Sequence, residues 1–184
     1  RDYGSNNAGL TNVLRVFGKG PAVATLLCDL AKGVLAVVIC RLVVTNGFGV
    51  TFFHDDKFIG YLAGFFVMLG HIFPVFYGFH GGKGVLIAAT TLIAIDPLTC
   101  VFSVAVFAIV LAATKYVSVG SICAAIAYPV FTPIVQLFII KGDGVLANTL
   151  MASAIGLLII YMHRPNIKRL MNGTENKFGS KKKA

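Results

Sequence analysis

The first group of residues able to hold an anion lies near the start of the chain, in residues 4–15. Glycines are mixed there with hydroxyl and amide side chains, among them Ser5, Thr11 and Asn12, and the segment ends in Arg15. Glycine frees the backbone to bend, and the neutral polar side chains supply hydrogen bonds. A guanidinium stays charged at physiological pH and binds two oxygens at once, which suits a phosphate dianion. The segment therefore predicts part of a phosphate site.

A second group, residues 78–85, places a glycine loop and Lys83 directly before an apolar helix. Backbone N–H groups at such a helix start converge on an anion. The loop is not a Walker A sequence, because the residue after the lysine is Gly84 instead of serine or threonine, so ATP hydrolysis is disfavoured. Paired glycines also allow close helix packing in lipid. A lysine at membrane depth, however, needs a partner, and none lies nearby in sequence.

The third group, residues 163–170, begins where the last long apolar segment ends. Lys168 and Arg169 are typical of basic residues that anchor a helix end to anionic head groups. His163 and Asn166 can bind a ligand but do not anchor a helix, so they are the candidates for chemistry in this group.

All three groups are rich in cations and donors but poor in bases. Asp2 and Glu175 are the acidic residues on their side of the chain, and no paired carboxylates, Ser-His-Asp set or His/Cys metal cluster accompanies them. Such a site fits a reaction whose substrate is already activated, so that holding anions in place supplies most of the rate. We therefore predict an enzyme with neither a metal nor a cofactor.

The segments that must position these groups are apolar and predict an integral membrane protein. Hydrophobic residues make up 57% of the 184, only 12% are charged, and the mean hydropathy is +0.85, which excludes an ordinary soluble domain. About 20 helical residues cross a bilayer. The predicted spans are residues 21–44, 58–77, 97–114, 121–140 and 145–162.

Residues 85–95 are apolar but too short to cross fully, so they predict a partial or deeply embedded sixth helix. The fold class is therefore all-α, a polytopic transmembrane bundle of six helices or part-helices in one domain, residues 1–184. If all six cross or nearly cross, four polar segments share one side: residues 1–20, 78–84, 115–120 and 163–184. Twelve of the 16 Lys and Arg residues lie there, which by the positive-inside rule predicts the cytoplasmic side.

The net charge of +9 does not indicate nucleic-acid binding, because the basic residues lie in loops beside spans instead of along a soluble face. Asp29 and Lys32, inside the first span, are three residues apart and share a helix face, where each neutralises a charge that is costly in lipid. We expect them to pair, either to orient the active site or as a structural ion pair facing the bundle interior.

The sequence resembles the bacterial acyl-phosphate-dependent glycerol-3-phosphate acyltransferase family, often called PlsY, over nearly its whole length. Four motifs carry the resemblance, in order: Gly-Ser-Asn-x-x-Gly-x-Thr-Asn-Val-x-Arg at 4–15, Gly-His-x-x-Pro-Val-Phe at 70–76, Gly-Gly-Lys-Gly at 81–84 and His-Arg-x-Asn-Ile-x-Arg-Leu at 163–170. Asn6, Ala8 and Leu10 stand where the family usually has Gly, Pro and Ala. We expect these changes to alter loop rigidity or substrate preference and not the class of activity.

The resemblance implies a seven-helix bundle whose first helix precedes Arg1, and the absence of an initiator Met also leads us to expect a truncated start. It implies a bacterial inner-membrane enzyme of phospholipid synthesis, with the membrane lipid but no obligate protein partner around it. The implied reaction moves an acyl chain from acyl phosphate to the 1-hydroxyl of sn-glycerol 3-phosphate, without coenzyme A or acyl carrier protein as donor.

The resemblance also implies roles for residues at matching motif positions. The residues implied to hold glycerol 3-phosphate are Ser5, Arg15, Lys83, His163 and Asn166. Those implied to cradle the donor phosphate belong to the glycine loop and the start of the next helix: Gly81, Gly82, Gly84 and Val85. Thr11, Asn12 and Ser118 are expected to be supporting donors.

A transporter or channel for a phosphorylated small molecule is the alternative, because a bundle with cationic loops could also pass an anion. Such proteins commonly carry inverted repeats with paired broken helices. The sequence has one short helix flanked by glycine and no second copy in its other half, which favours the enzyme.

Overall fold

The computed structural model describes residue 7 and residues 9–179, and within these residues the architecture is all-α. The predictions for Ser5, Asn6 and Ala8 concern residues outside this range. Eight α-helices follow in chain order: α1 Leu10–Phe17, α2 Lys19–Arg41, α3 Lys57–Ile72, α4 Val85–Ile95, α5 Pro97–Thr114, α6 Val117–Ile134, α7 Val145–Met162 and α8 Arg164–Met171. Both α2 and α6 continue into π-helical turns, Leu42–Gly47 and Val135–Ile140, and a short 3-10 turn, Val75–Tyr77, follows α3.

Among the residues that the structure describes, five segments are long and apolar enough to cross a membrane, and they confirm the five predicted spans with boundaries shifted by a few residues. They are Lys19–Gly47, Lys57–Tyr77, Pro97–Thr114, Val117–Ile140 and Val145–Met162. The short apolar helix predicted at residues 85–95 is α4. At about 1.5 Å per residue, its 11 residues extend through little more than half of the hydrocarbon thickness.

The short α4 packs between α2 and α3 through small residues. A Cβ at Gly33 of α2 would overlap the Thr90 side chain, and Gly64 of α3 lies against Thr91 in the same way. Close backbone approach through glycine is the usual means of helix packing in lipid, where apolar burial gives little drive. The buried Ile87 and Leu92 complete this contact, so α4 has a fixed position in the centre of the bundle.

One end of the bundle is closed by a buried network of polar side chains. Gln136 Nε2 donates to the Tyr61 hydroxyl and to Asp96 Oδ2, each at 3.1 Å, and its Oε1 accepts from Asn148 Nδ2 at 3.0 Å. Asn148 Nδ2 also bonds to Asp55. All five residues are buried. We call this the far end, and the opposite end, which carries residues 78–84 and 163–179, the site end.

The way in which α5 begins and α6 ends places Asp96 and Gln136 in this network. Asp96 accepts from the Thr99 N–H at 3.3 Å, with Pro97 in the first turn, which is a favourable helix start. Pro129 and Pro133 lie inside α6 and supply no backbone donor, and the helix widens into a π-helical turn directly after them. Gln136 lies in that turn and is turned inward to the network.

Candidate functional site

The glycine loop folds back against the last turn of α3. The Gly81 N–H donates to the Ile72 carbonyl at 2.9 Å, and the Gly82 N–H donates to the His71 carbonyl at 3.2 Å. A Cβ at Gly81 would overlap the His71 carbonyl, and one at Gly82 would overlap the His71 imidazole. Glycine is required at both positions because the loop and the helix approach too closely for a side chain.

The rest of the loop leads into α4 with its backbone donors available. Within residues 9–179, the N–H groups of Lys83, Gly84 and Val85 have no acceptor, and the Ala88 N–H is the first of α4 to bond, to the Gly84 carbonyl at 2.8 Å. Gly84 has a φ of 82°, in the left-handed region that favours glycine. Free N–H groups at a helix start attract an anion. The start of α4 is therefore a candidate anion-binding site, which we call the anion seat.

Lys83 reaches across the site end to α8. Its Nζ donates to Asn166 Oδ1 at 2.5 Å, which supplies the partner that the local sequence lacks. Burial, and then the nearby Arg169 and Arg15 guanidiniums, lower the pKa of Lys83 to about 8, although Glu175 acts in the opposite direction. Lys83 is therefore a buried ammonium with two guanidiniums and one carboxylate near it, and such perturbed groups are common at functional sites.

Glu175 is the centre of the hydrogen bonds at the site end. Its carboxylate accepts from Ser118 Oγ at 3.0 Å, Asn166 Nδ2 at 2.7 Å and Arg169 Nε at 2.7 Å. Burial alone would raise the pKa of Glu175, but these three hydrogen bonds outweigh it and hold the pKa below its ordinary value. The segment after α8 folds back to deliver this carboxylate, and the Phe178 N–H donates to the Lys115 carbonyl at 2.7 Å.

His163 is buried at the end of α7, with 3% of its surface exposed. Its Nδ1 lies 2.8 Å from the Ile159 carbonyl, so Nδ1 carries the proton and donates. Burial lowers the pKa of His163 to about 4, and Lys83 acts in the same direction. The imidazole is therefore neutral at physiological pH, and its Nε2 is left as an acceptor.

Helix α1 adds Arg15, Thr11 and the buried Asn12 to the same cavity. Arg15 is exposed and, within the part of the chain that the structure describes, makes no ion pair. The Gly9 N–H, just before the helix, donates to Asn7 Oδ1 at 2.9 Å. An exposed guanidinium beside the Lys83 ammonium is available to bind an anion.

The cavity at the site end has a volume of about 380 Å³ and continues from the cations into the bundle. Its deeper wall is apolar and comes from three helices, with Leu86 and Leu92 from α4, Val104 and Phe107 from α5, and Ala124 from α6. A cavity with a cationic mouth and an apolar interior suits a ligand that has an anionic head and an apolar tail.

Most predicted site residues lie together in this cavity. Those that line it are Thr11, Asn12, Arg15, Lys83, Gly84, Val85, Ser118, His163 and Asn166. Gly81 and Gly82 lie behind it and shape the loop. Sequence reasoning assigned no site role to Glu175 and interpreted Arg169 as a membrane anchor, although a lone carboxylate following a basic segment is a signal for such a partner.

Comparison with known proteins identifies the family of the chain. A model of the glycerol-3-phosphate acyltransferase family matches residues 1–173. The glycerol-3-phosphate acyltransferase of Clostridioides difficile is 43% identical over 182 residues, which cover 99% of this chain and 83% of that protein. The enzyme of Paraburkholderia phymatum is 41% identical over 184 residues, which cover 100% and 81%.

Two solved structures share the fold. The crystal structure of PlsY, an integral membrane glycerol 3-phosphate acyltransferase, in its glycerol 3-phosphate form is 37% identical, with a TM-score of 0.78 over 97% of this chain and 82% of that one. Its lysophosphatidic acid form is 36% identical, with a TM-score of 0.76 over 95% and 81%. Because the family model matches nearly all of the sequence and the relatives match along most of their own lengths, the chain belongs to the glycerol-3-phosphate acyltransferase family, as an integral membrane enzyme.

Proposed function

We propose that the chain transfers an acyl group from an acyl phosphate to the 1-hydroxyl of sn-glycerol 3-phosphate. The observation that carries the proposal is the single cavity that joins a group of cations to an apolar wall between α4, α5 and α6. An acyl phosphate has an anionic head and an apolar tail, and the acceptor brings a second phosphate. The cavity therefore fits both substrates, with the acyl tail between the helices.

The acceptor subsite is the cluster around Lys83. Arg15 and Lys83 bind the phosphate of glycerol 3-phosphate, because a guanidinium and an ammonium together offset its two charges. Asn166 and the Nε2 of His163 bind its hydroxyls, since both residues line the cavity beside Lys83. From its motif position in the sequence, Ser5 is also proposed to bind glycerol 3-phosphate. Thr11, Asn12 and Ser118, which line the cavity, are the supporting donors.

The donor phosphate lies at the start of α4. The N–H groups of Lys83, Gly84 and Val85 bind its oxygens, helped by the helix dipole. Gly81 and Gly82 contribute by holding the loop against α3, because their own N–H groups are engaged there. Lys83 lies between the two phosphate sites, where it offsets the repulsion between the phosphates and brings the reacting groups together.

The chemical step is a direct acyl transfer. The hydroxyl oxygen attacks the carbonyl carbon of the acyl phosphate, the bond from that carbon to the phosphate oxygen breaks, and the electron pair leaves on phosphate. The hydroxyl proton passes to a phosphate oxygen, because His163 has a pKa of about 4 and the pKa of Glu175 is also depressed, which makes both poor bases. The mixed anhydride is already activated, so no metal, nucleotide or thioester carrier is needed.

The site end faces the cytoplasm of a bacterial inner membrane in this proposal. Twelve of the 16 Lys and Arg residues lie on that side, which follows the positive-inside rule. The lipid product, 1-acyl-glycerol 3-phosphate, then leaves laterally into the inner leaflet, and no protein partner is required.

The donor is tested with purified protein in lipid nanodiscs, labelled glycerol 3-phosphate and one of three donors: palmitoyl phosphate, palmitoyl coenzyme A or palmitoyl acyl carrier protein. We expect labelled lysophosphatidic acid from palmitoyl phosphate alone, with one inorganic phosphate released per molecule. Product from either thioester, with none from palmitoyl phosphate, would overturn the donor assignment while leaving the acceptor in place.

A further inference from the structure

Asp29, Lys32 and His71 form a polar chain behind the glycine loop that the reaction above does not use. Lys32 Nζ lies 2.6 Å from Asp29 Oδ1 and 3.0 Å from His71 Nδ1. The expected pairing of Asp29 with Lys32 on one face of α2 is thus confirmed, and His71, in the last turn of α3, is its third member. His71 belongs to the Gly-His-x-x-Pro-Val-Phe motif, whose residues have no assigned chemical role in the sequence analysis above.

The Lys32 ammonium decides which nitrogen of His71 carries the proton. An ammonium offers donors alone, so His71 Nδ1 must accept from it. Asp29 Oδ1 is more distant from that nitrogen, at 3.7 Å, and is already bound by Lys32. The neutral imidazole therefore carries its proton on Nε2.

His71 Nε2 is directed toward the glycine loop. A Cβ at Gly82 would overlap this nitrogen, so the imidazole edge lies directly against the loop backbone. His71 also lines the cavity, together with Lys83 and Gly84. Within residues 9–179, Nε2 has no hydrogen-bond partner. A half-buried N–H without a partner, beside a candidate anion seat, is a donor available to a ligand.

We propose that His71 is a further substrate-binding residue, whose Nε2–H donates to the phosphate of the acyl donor, and that Lys32 and Asp29 are positioning residues that fix its tautomer. The inference rests on the proposed function, because the phosphate concerned is that of the donor. Asp29 offsets the charge of Lys32, so these three residues add one oriented hydrogen-bond donor to the anion seat at the start of α4 without adding net charge. This distinguishes it from Lys83 and Arg15, which act by charge.

The first experiment compares His71→Phe with His71→Gln, in which the amide nitrogen can replace Nε2. Loss of one hydrogen bond to a charged group predicts that His71→Phe raises the KM for palmitoyl phosphate about tenfold or more. We expect His71→Gln to recover most of this loss and the KM for glycerol 3-phosphate to stay unchanged in both. His80→Phe is the matched control, since the exposed His80 contacts Gly78 at the outer side of the loop. Equal impairment of the Phe and Gln variants would overturn the proposal.

The second experiment removes the tautomer lock at a tolerant position. The Lys32 side chain is 44% exposed, and Lys32→Met is made in an Asp29→Asn background so that no carboxylate is left unpaired in the span; this variant covers the case in which His71→Phe fails to fold. In this background we expect Lys32→Met to raise the KM for palmitoyl phosphate severalfold. When Lys32→Met is added to His71→Phe, the KM should rise no further, because the two residues act as one unit. An unchanged donor KM in Lys32→Met, or additive effects when it is combined with His71→Phe, would contradict the proposal.

A third measurement separates this inference from the proposed donor. Binding of inorganic phosphate is titrated calorimetrically with glycerol 3-phosphate saturating the acceptor subsite and no acyl donor present. We expect His71→Phe to weaken phosphate binding about tenfold and His80→Phe to leave it unchanged. Wild-type protein that binds phosphate in this way but does not use palmitoyl phosphate would refute the donor alone, whereas equal phosphate affinity in wild type and His71→Phe would refute the role of His71.

Discussion

The two ends of the bundle both bury polar side chains, but they use them differently. At the far end, the amides of Gln136 and Asn148 bridge two buried carboxylates, Asp55 and Asp96, and the side chains bond to one another. At the site end, three cations face one carboxylate around an open cavity. The far end thus links α3, α5, α6 and α7, whereas the site end keeps charge available for a ligand.

The charge balance of the two ends has opposite sign. The far-end carboxylates are approached by the single ammonium of Lys57, 3.9 Å from Asp96 Oδ2. At the site end the three cations Lys83, Arg15 and Arg169 exceed the charge of Glu175; burial is the main cause of the lowered pKa of Lys83, and Arg169 and Arg15 add to it. Surplus charge of one sign lowers stability without a ligand and favours binding of the opposite charge. Burial of polar groups alone therefore does not identify a site.

The largest effect is expected from removing a cation at the site end. Lys83→Met should lower kcat/KM about 10³-fold, because a charge that stabilises the transition state is lost. Lys57→Met, the matched change at the far end, should leave kcat/KM unchanged. Initial rates of lysophosphatidic acid formation measure both. Similar losses in the two variants would break the distinction between the ends.

The next effect is on stability and is expected at the far end. Gln136→Leu leaves Tyr61, Asp96 and Asn148 without their shared partner, which should lower the free energy of unfolding by about 2–4 kcal/mol. Thermal unfolding in detergent measures the change, and the folded fraction should keep its kcat/KM. If the variant unfolds at the same temperature as the wild type but has a lower kcat/KM, the far-end network has a catalytic role.

The charge of the site end should also make kcat/KM depend on pH. With a pKa of about 8, Lys83 is protonated below that pH, so kcat/KM should be level there and fall about tenfold per pH unit above it. Glu175 raises the pKa of Lys83, so Glu175→Gln should move the fall to lower pH. Rates measured from about pH 6.5 to about pH 10, a range that includes the pKa of Lys83, test both statements. A profile that stays level well above pH 9 would contradict the assignment to Lys83.

The smallest effect concerns one hydrogen bond to Glu175. Ser118→Ala removes one of three donors and should reduce kcat/KM severalfold, in line with about 1 kcal/mol for a hydrogen bond. Thr132→Val, which removes a hydroxyl that bonds to the Tyr128 carbonyl within its own helix, is the matched change away from the site and should have no effect on kcat/KM. A larger loss in Thr132→Val than in Ser118→Ala would show that hydroxyl removal acts through helix packing.

Several parts of the site could be predicted because they depend on local residue type. Lys83 after two glycines and before an apolar helix indicates an anion seat by itself. The partners of Lys83 could not be predicted, because Asn166 lies 83 residues away and meets it through the packing of separate helices. For the same reason Arg169 was interpreted as a membrane anchor, although it bonds to Glu175. Asp55 and Asp96 lie outside the predicted apolar segments, yet both are buried.

The sequence by itself determined the number and length of the spans, the short α4 and the segments that share the site end, because each follows from how many apolar residues stand in a row. Tertiary structure alone decided which donors meet which acceptors. Rotation of each helix about its axis sets which side chains face inward, and that rotation is fixed by close contacts such as those of Gly33 and Gly64 with α4.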